Sequence, residues 1–201
     1  MAGWLLRSAM PALPAVLAVS IGVIAGCSRD EAAIPADDAT PASAELQVAQ
    51  SSYPVGTLPQ LTMVLGNNGS GACALPSIAD GLIEVVSVTR DGTAVIGRPG
   101  REDHFNGIAA VVADGLRNIA PGASIAVPLD VKISAAGTPV VKTSVQTPDD
   151  NGQTTSWLLD QPGNYQITAR MATVTGVART DLPEQCGTAA APVTAEFEVT
   201  E

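Results

Sequence analysis

Short runs of β-forming residues follow residue 44, and in several of them apolar and polar side chains alternate with a period of two. In residues 195–199 this alternation places Ala195, Phe197 and Val199 on one face and two glutamates on the other. Such a pattern is typical of an antiparallel strand with one buried and one solvated face. The pattern predicts strands at residues 46–49, 61–65, 82–89, 94–97, 125–133, 140–145, 154–159, 165–174 and 193–199.

Turn-forming residues separate these runs. Gly, Pro, Asn and Asp cluster at positions 67–69, 91–92, 121–122, 150–152 and 162–163, and such clusters favour tight connections between strands. No long helical period follows position 27, although residues 108–119 could hold a short helix. The sequence therefore predicts an all-β domain over residues 45–201, folded as an antiparallel β-sandwich.

Two stretches resemble bacterial immunoglobulin-like domains. Tyr53 and Gly56 form a Tyr-x-x-Gly turn before an alternating strand that ends in two asparagines. Gly163 and Tyr165 resemble the tyrosine corner, in which a tyrosine at the start of strand F hydrogen-bonds to backbone near the preceding turn. Ile167 stands where antibody domains have a core cysteine. The resemblance therefore implies an immunoglobulin-like sandwich without the antibody-type disulfide.

The start of the chain has the layout of a secretory signal. Arg7 is the only charge before position 29, and an apolar run covers residues 10–26. The run ends in Ile24-Ala25-Gly26-Cys27, which resembles the bacterial lipobox, where an aliphatic residue, two small residues and a cysteine mark cleavage and lipidation. The resemblance implies that residues 1–26 are a signal peptide. It also implies a mature chain that begins at Cys27, lipid-anchored in the cell membrane and facing the extracytoplasmic side.

Two other interpretations of this segment stay open. Residues 8–26 are nearly long enough to span a bilayer as an uncleaved anchor, which takes roughly 17–25 apolar residues, although Pro11 and Pro14 weaken such a helix. Alternatively, Gly26 and Cys27 are a chance pair beside an ordinary secretory cleavage site. Under the lipobox interpretation, residues 27–44, with four acids and two prolines, form a flexible acidic tether.

The charge balance limits the partners. Without Arg7, the mature chain has nine basic and twenty acidic side chains. This balance argues against nucleic acid, because phosphates require a basic surface. An acidic surface usually serves solubility, and binding of cations or of a basic partner is the alternative.

Three cysteines have to be assigned. If Cys27 carries the lipid, Cys73 and Cys186 form an even pair in an oxidising compartment, and such a pair predicts a disulfide. The bridge would close a loop of more than a hundred residues, for which the chain-entropy model gives about 4–5 kcal/mol. Two free thiols or a metal pair are the alternative, but no nearby histidine or CxxC motif supports a metal site. By the immunoglobulin resemblance, the bridge would hold the segment 175–192 at one end of the sandwich, either for stability or as a rigid binding tip.

Residues that could carry chemistry are few. The single histidine, His104, lies in a charged run and is expected to be solvated. Residues 149–152 (Asp-Asp-Asn-Gly) resemble part of an EF-hand loop but lack the later glutamate, so a polar hairpin turn is the better interpretation. We therefore predict no catalytic, metal or cofactor site.

The sequence as a whole predicts a non-catalytic binding module of the bacterial cell envelope. A lipid at Cys27 would hold it at the membrane, and its partner would be an envelope or extracellular protein. The alternative is a β-sandwich proteinase inhibitor or a small-ligand-binding lipoprotein. An enzyme that uses His104 with an acid is the third hypothesis.

Overall fold

The computed structural model describes residues 42–177, 179–187 and 191–201 of the chain. The predicted signal peptide, the lipobox at 24–27 and the tether up to position 41 lie outside the described residues. Inside them, strands dominate and a single short helix is present, so the predicted all-β class is confirmed. No helix in these ranges is both long and apolar enough to cross a membrane.

The elements follow one another closely along the chain. The helix α1 (Gly107–Gly115) lies between the seventh and eighth strands. The strands are β1 (Ala42–Val48), β2 (Ser52–Pro54), β3 (Leu61–Asn67), β4 (Cys73–Pro76), β5 (Ile83–Arg90), β6 (Thr93–Ala94), β7 (Arg98–Glu102), β8 (Leu116–Ile119), β9 (Ser124–Pro128), β10 (Asp130–Ile133), β11 (Pro139–Gln146), β12 (Gly152–Leu158), β13 (Gly163–Met171) and β14 (Val193–Thr200).

Three larger sheets and one two-stranded ribbon organise these strands. The larger sheets have the orders β1-β3-β9, β10-β11-β12-β7 and β2-β14-β13-β5-β6, and the ribbon is β4-β8. Among the named strands, β14 and β2 pair in parallel, and the other pairs are antiparallel. Short antiparallel connections of this kind are what the closely spaced turn signals predict.

The alternating pattern builds one core shared by the three larger sheets. Met63 of β3, Val141 of β11 and Ile167 of β13 are all fully buried members of the same apolar cluster. At its centre, Phe197 stacks on Tyr165, with ring centroids 5.7 Å apart, and meets the Tyr53 ring edge-on at the same distance. Aromatic pairs favour both geometries.

The observed strands differ from the predicted ones where backbone pairing outweighs side-chain pattern. β1 includes Ala42, Ser43 and Ala44, which the composition assigned to the tether; their backbone pairs with the end of β3. The predicted strand 125–133 is two strands in different sheets. They separate after Pro128, which has no N–H for a continuous ladder, and Leu129 then donates to the Leu61 carbonyl.

Four strands carry no signal that the pattern could detect. All four residues of β4 are buried, so its side chains do not alternate. β7 has the sequence Arg-Pro-Gly-Arg-Glu and is held by its pairing with β12. β2 and β8 are too short for a period to appear. Of the strand predicted at 94–97, only Ala94 lies in a strand, at the end of β6, and residues 95–97 connect β6 to β7.

Candidate functional site

Connections from several strand pairs meet at one end of the domain. Met171, the last residue of β13, pairs with Ile83 at the start of β5. Just before Ile83, Gly81 bridges to Val145 near the end of β11. Gly152, which follows the β11–β12 hairpin, pairs with the last residue of β7. We call this region the disulfide-bonded end; it comprises residues 67–82, 103–123, 147–151, 172–177 and 179–187.

The predicted disulfide between Cys73 and Cys186 is present at this end and links positions 113 residues apart. Both cysteines are buried. Beside the bridge, the Ala74 N–H donates to the Glu184 carbonyl at 2.9 Å, and the Cys186 N–H donates back to the Ala74 carbonyl at 3.0 Å. The segment around Cys186 is therefore fixed against β4 both covalently and by backbone hydrogen bonds.

Helix α1 packs between β4 and the segment that leads to Cys186. This contact forms a small apolar cluster apart from the main core, made of Ala74, Ile108, Val112 and Leu116 and covered by Val174, Val177 and Leu182. Arg179 adds a polar link, because its guanidinium donates to the Ala113 carbonyl near the end of the helix at 2.8 Å. The Leu116 N–H donates to the same carbonyl, so Arg179 adds a second hydrogen bond at this end of α1.

Asp150 of the β11–β12 hairpin provides the other end of the helix with its cap. The Ile108 N–H donates to the Asp150 carbonyl at 2.8 Å, and the Ala109 N–H donates to its carboxylate at 3.1 Å. Asn106, the local N-cap residue, makes no such side-chain bond. Residues 149–152 therefore act as a polar hairpin turn that also caps α1. Within the ranges that the structure covers, no group of three or more His, Cys, Asp or Glu side chains is placed to hold a metal.

An ion-pair bridge joins the loop 103–106 to the same hairpin. The Arg101 guanidinium contacts Asp103 at 2.8 Å and Asp149 at 2.7 Å. Hydrogen bonds from the Thr147 hydroxyl, Arg101 and Asn151 hold the pKa of the Asp149 carboxyl well below its usual range. The pKa of Arg101 is raised by its hydrogen bonds to Asp103, which has the larger effect, and to Asp149. Arg101 and Asp149 therefore stay charged over the physiological pH range.

Phe105 is the most exposed apolar side chain of this end, with a relative exposure of 102 %. The backbone on either side of it is held: the His104 N–H donates to the Asn151 side chain at 2.9 Å, and the Gly107 N–H donates to the His104 carbonyl at 3.0 Å. The other aromatic residues in the described ranges are all buried, namely Tyr53, Trp157, Tyr165 and Phe197. Sequence reasoning missed Phe105, because a single aromatic in a charged loop has no period that marks it as exposed.

The charged surroundings of His104 predicted a solvated side chain, but the structure buries part of it. Its Nε2 atom and the hydroxyl of buried Ser144 are closed to solvent and lack hydrogen-bond partners in the described part of the chain. Both lie beside Gly152, where a Cβ would be 3.3 Å from His104 Nε2 and would collide with the Ser144 hydroxyl. Serine and histidine are thus neighbours, but a substrate cannot reach either atom in this arrangement.

Both lysines of the chain line an open cavity of about 450 Å³ on the flank of the domain. Lys132 contacts Asp130 at 2.8 Å, and Lys142 pairs with Glu102. The hydrogen bond from Lys142 lowers the pKa of Glu102, and the hydrogen bond to Asp130 raises the pKa of Lys132. Since each cation has its own carboxylate, the arrangement is that of structural ion pairs.

The predicted site residues occupy two separate places. Cys73 and Cys186 lie at the disulfide-bonded end, whereas Gly163 and Tyr165 begin β13 at the opposite end. There the Tyr165 hydroxyl donates to the Gln161 carbonyl at 3.1 Å, and Gly163 has a φ of +143° that favours glycine.

Comparison of the chain with protein-family models, with curated proteins and with solved structures finds no match.

Proposed function

We propose that the protein is a non-catalytic binding module of the bacterial cell envelope, lipid-anchored at Cys27, which binds an envelope protein through its disulfide-bonded end. The observation that carries this proposal is the way in which separate segments are joined there. A disulfide, an ion-pair bridge and a helix capped by a residue of a distant hairpin hold loops that would otherwise move independently. Rigid loops on a β scaffold are a common place for binding residues, because little entropy is lost when they bind.

An immunoglobulin-like sandwich is the finer fold that we propose for the domain. The bond from the Tyr165 hydroxyl to the Gln161 carbonyl supports it, since a tyrosine corner makes such a bond to backbone a few residues upstream. The shared core of antiparallel sheets supports it further. In this arrangement the Cys73–Cys186 bridge takes a different place from the antibody disulfide, and Ile167 fills the core position.

The proposed anchor limits where the partner can be. β1 begins at Ala42, which pairs with Asn67 at the disulfide-bonded end, so the tether joins the domain on that side. The fifteen residues from 27 to 41 can span at most about 50 Å when fully extended. Two acyl chains hold a protein stably at a bilayer, whereas one holds it only marginally. A diacylated Cys27 would therefore keep the binding surface within reach of envelope proteins rather than of distant extracellular ones.

The anchor is tested by the variant Cys27→Ser in the bacterium that carries the gene. The unchanged protein should fractionate with membranes, and mass spectrometry should find an N-terminal peptide that starts at Cys27 and carries a diacylglyceryl group. The variant should lose this modification and leave the membrane fraction or accumulate as a precursor, whereas Ser28→Ala should behave as the unchanged protein. A mature N terminus at any other residue would contradict the anchor.

The binding surface is tested by site-specific photo-crosslinking in intact cells. A benzophenone amino acid replaces Asp114 or Glu184 at the disulfide-bonded end, and Asp160 or Ile96 at the opposite end; all four positions are exposed. We expect discrete adducts from the first pair and none from the second. Adducts from the second pair alone would show that the module binds through its other end.

A further inference from the structure

We infer that Phe105 is the anchor residue of the binding surface, and that it inserts into an apolar pocket flanked by lysine or arginine side chains on the partner protein. The inference rests on the proposed function, because it assigns a partner chemistry to the disulfide-bonded end. A few aromatic residues carry most of the affinity in many interfaces, and they fill pockets on the partner.

Phe105 differs in exposure from the other aromatic residues of the described ranges. Phe105 is completely exposed, while Tyr53, Trp157, Tyr165 and Phe197 are between 1 and 7 % exposed. A phenyl ring in water is unfavourable, and the fold already buries every other aromatic side chain in the described ranges. The ring of Phe105 is therefore left for an interaction outside the domain.

The loop also holds the backbone at Phe105 in place. Hydrogen bonds hold His104 and Gly107 on either side of Phe105, and Arg101 ties the loop to the hairpin through Asp149. Gly107 has a φ of +80° and packs so closely on Asp150 that a side chain would not fit. Because this backbone is already ordered, binding has to fix only the side-chain rotamer of Phe105, which favours affinity.

The charge around Phe105 selects the class of partner. Asp103, Asp149 and Asp150 surround the loop, and Arg101 is the cation that bridges the first two. The excess of negative charge complements a basic surface, and such complementarity speeds association and excludes acidic partners. It also disfavours insertion of the ring into a bilayer, because the surface of anionic lipids repels carboxylates.

The test places a benzophenone amino acid at position 105 of the full-length protein in intact cells. A discrete adduct is expected at position 105 and none at position 96, since Ile96 is an equally isolated apolar side chain, 87 % exposed, at the opposite end. Mass spectrometry of the adduct should place the crosslink in an apolar pocket that has at least two lysine or arginine residues beside it.

Affinity for the purified crosslinked protein then separates a true anchor from a bystander. Phe105→Ala should raise the dissociation constant about 30-fold or more, which is the loss of affinity typical of an interface hot spot. Ile96→Ala should change the dissociation constant less than about twofold. Asp103→Lys should slow association at low salt, and the difference should shrink as salt screens the charges. The inference would be overturned if Phe105→Ala left the dissociation constant unchanged, or if Asp103→Lys left the association rate unchanged.

A membrane is the competing occupant, and vesicles of phosphatidylethanolamine and phosphatidylglycerol (3:1) test it. Any binding of the Cys27→Ser protein to these vesicles should be unchanged when Phe105→Ala is added; binding that is lost in Phe105→Ala would assign the ring to lipid and overturn the inference. Adducts from Asp114 or Glu184 without one from position 105 would also overturn it, while the proposed function would stand. No adduct from any position of the disulfide-bonded end would overturn both.

Discussion

Replacing both Cys73 and Cys186 by alanine should lower the free energy of unfolding by about 5 kcal/mol. The bridge closes a loop with a sequence separation of 113. In the chain-entropy model such a cross-link removes about 16 cal/mol/K from the unfolded ensemble, which is about 5 kcal/mol at 25 °C. Since small domains are stable by roughly 5–15 kcal/mol, this loss would leave the domain close to its folding threshold.

The assay is urea unfolding of the purified protein in three forms: oxidised, reduced with a dithiol, and the double alanine variant. Reduction breaks the cross-link without deleting a side chain, so it serves as the control for the packing lost on substitution. The reduced protein and the variant should lose similar amounts of stability. A loss below about 1 kcal/mol in both would refute the reasoning, because the unfolded chain would then gain almost no freedom when the bridge is removed.

Hydrogen exchange gives the same prediction a local readout. The Ala74 and Cys186 amides hydrogen-bond across the bridge, whereas the Ile167 amide lies in the centre of the largest sheet. Without the disulfide, exchange at positions 74 and 186 should accelerate more than exchange at Ile167, because the segment next to β4 can then open locally. Equal acceleration at all three positions would show that the bridge acts only on global stability.

Further predictions concern the core, the helix cap and one ion pair. Phe197→Ala should lower the free energy of unfolding by about 3–5 kcal/mol, as truncations of buried aromatic side chains do. Phe105→Ala should change it by less than about 0.5 kcal/mol, because that ring is exposed. Urea unfolding measures both effects. Asp150→Ala should cost about 1–2 kcal/mol and speed amide exchange in the first turn of α1, since it removes the carboxylate cap. The hydrogen bond from Lys142 lowers the pKa of Glu102 below its ordinary value of 4.5, so the unfolded chain takes up the proton first as the pH falls. The stabilisation is therefore present above about pH 4.5 and is lost below it. Stability measured against pH should therefore show that Lys142→Gln differs most from the unchanged protein above pH 4.5 and that the two curves converge in acid.

The elements predicted correctly are those in which side-chain pattern and backbone pairing agree. β13 and β14 bury every second residue, from Tyr165 to Met171 and from Ala195 to Val199, and their alternation is visible in the sequence. The cysteine pair was predictable only under the lipobox interpretation, which assigns Cys27 to a lipid and leaves an even pair of thiols for a disulfide.

The elements that escaped prediction depend on contacts between distant parts of the chain. β4 is buried on both faces, because Ala74 lies in the cluster under α1 while Cys73 and Leu75 lie in the main core, so nothing in its four residues shows an inner and an outer face. Asp150 caps a helix that begins 43 residues earlier, and local rules for helix starts search only the neighbouring residues. The exposure of Phe105 likewise follows from a loop held by partners in another hairpin.

In the proposed function, a partner protein in the envelope covers the disulfide-bonded end. Hydroxyl-radical footprinting tests this most directly, by comparing the protein in intact cells with the same protein purified from them. We expect labelling of Phe105 to fall strongly in cells, while labelling of Ile96 at the opposite end, also exposed in the structure, stays the same. Equal labelling of Phe105 in the two preparations, or protection of Ile96 instead, would contradict it.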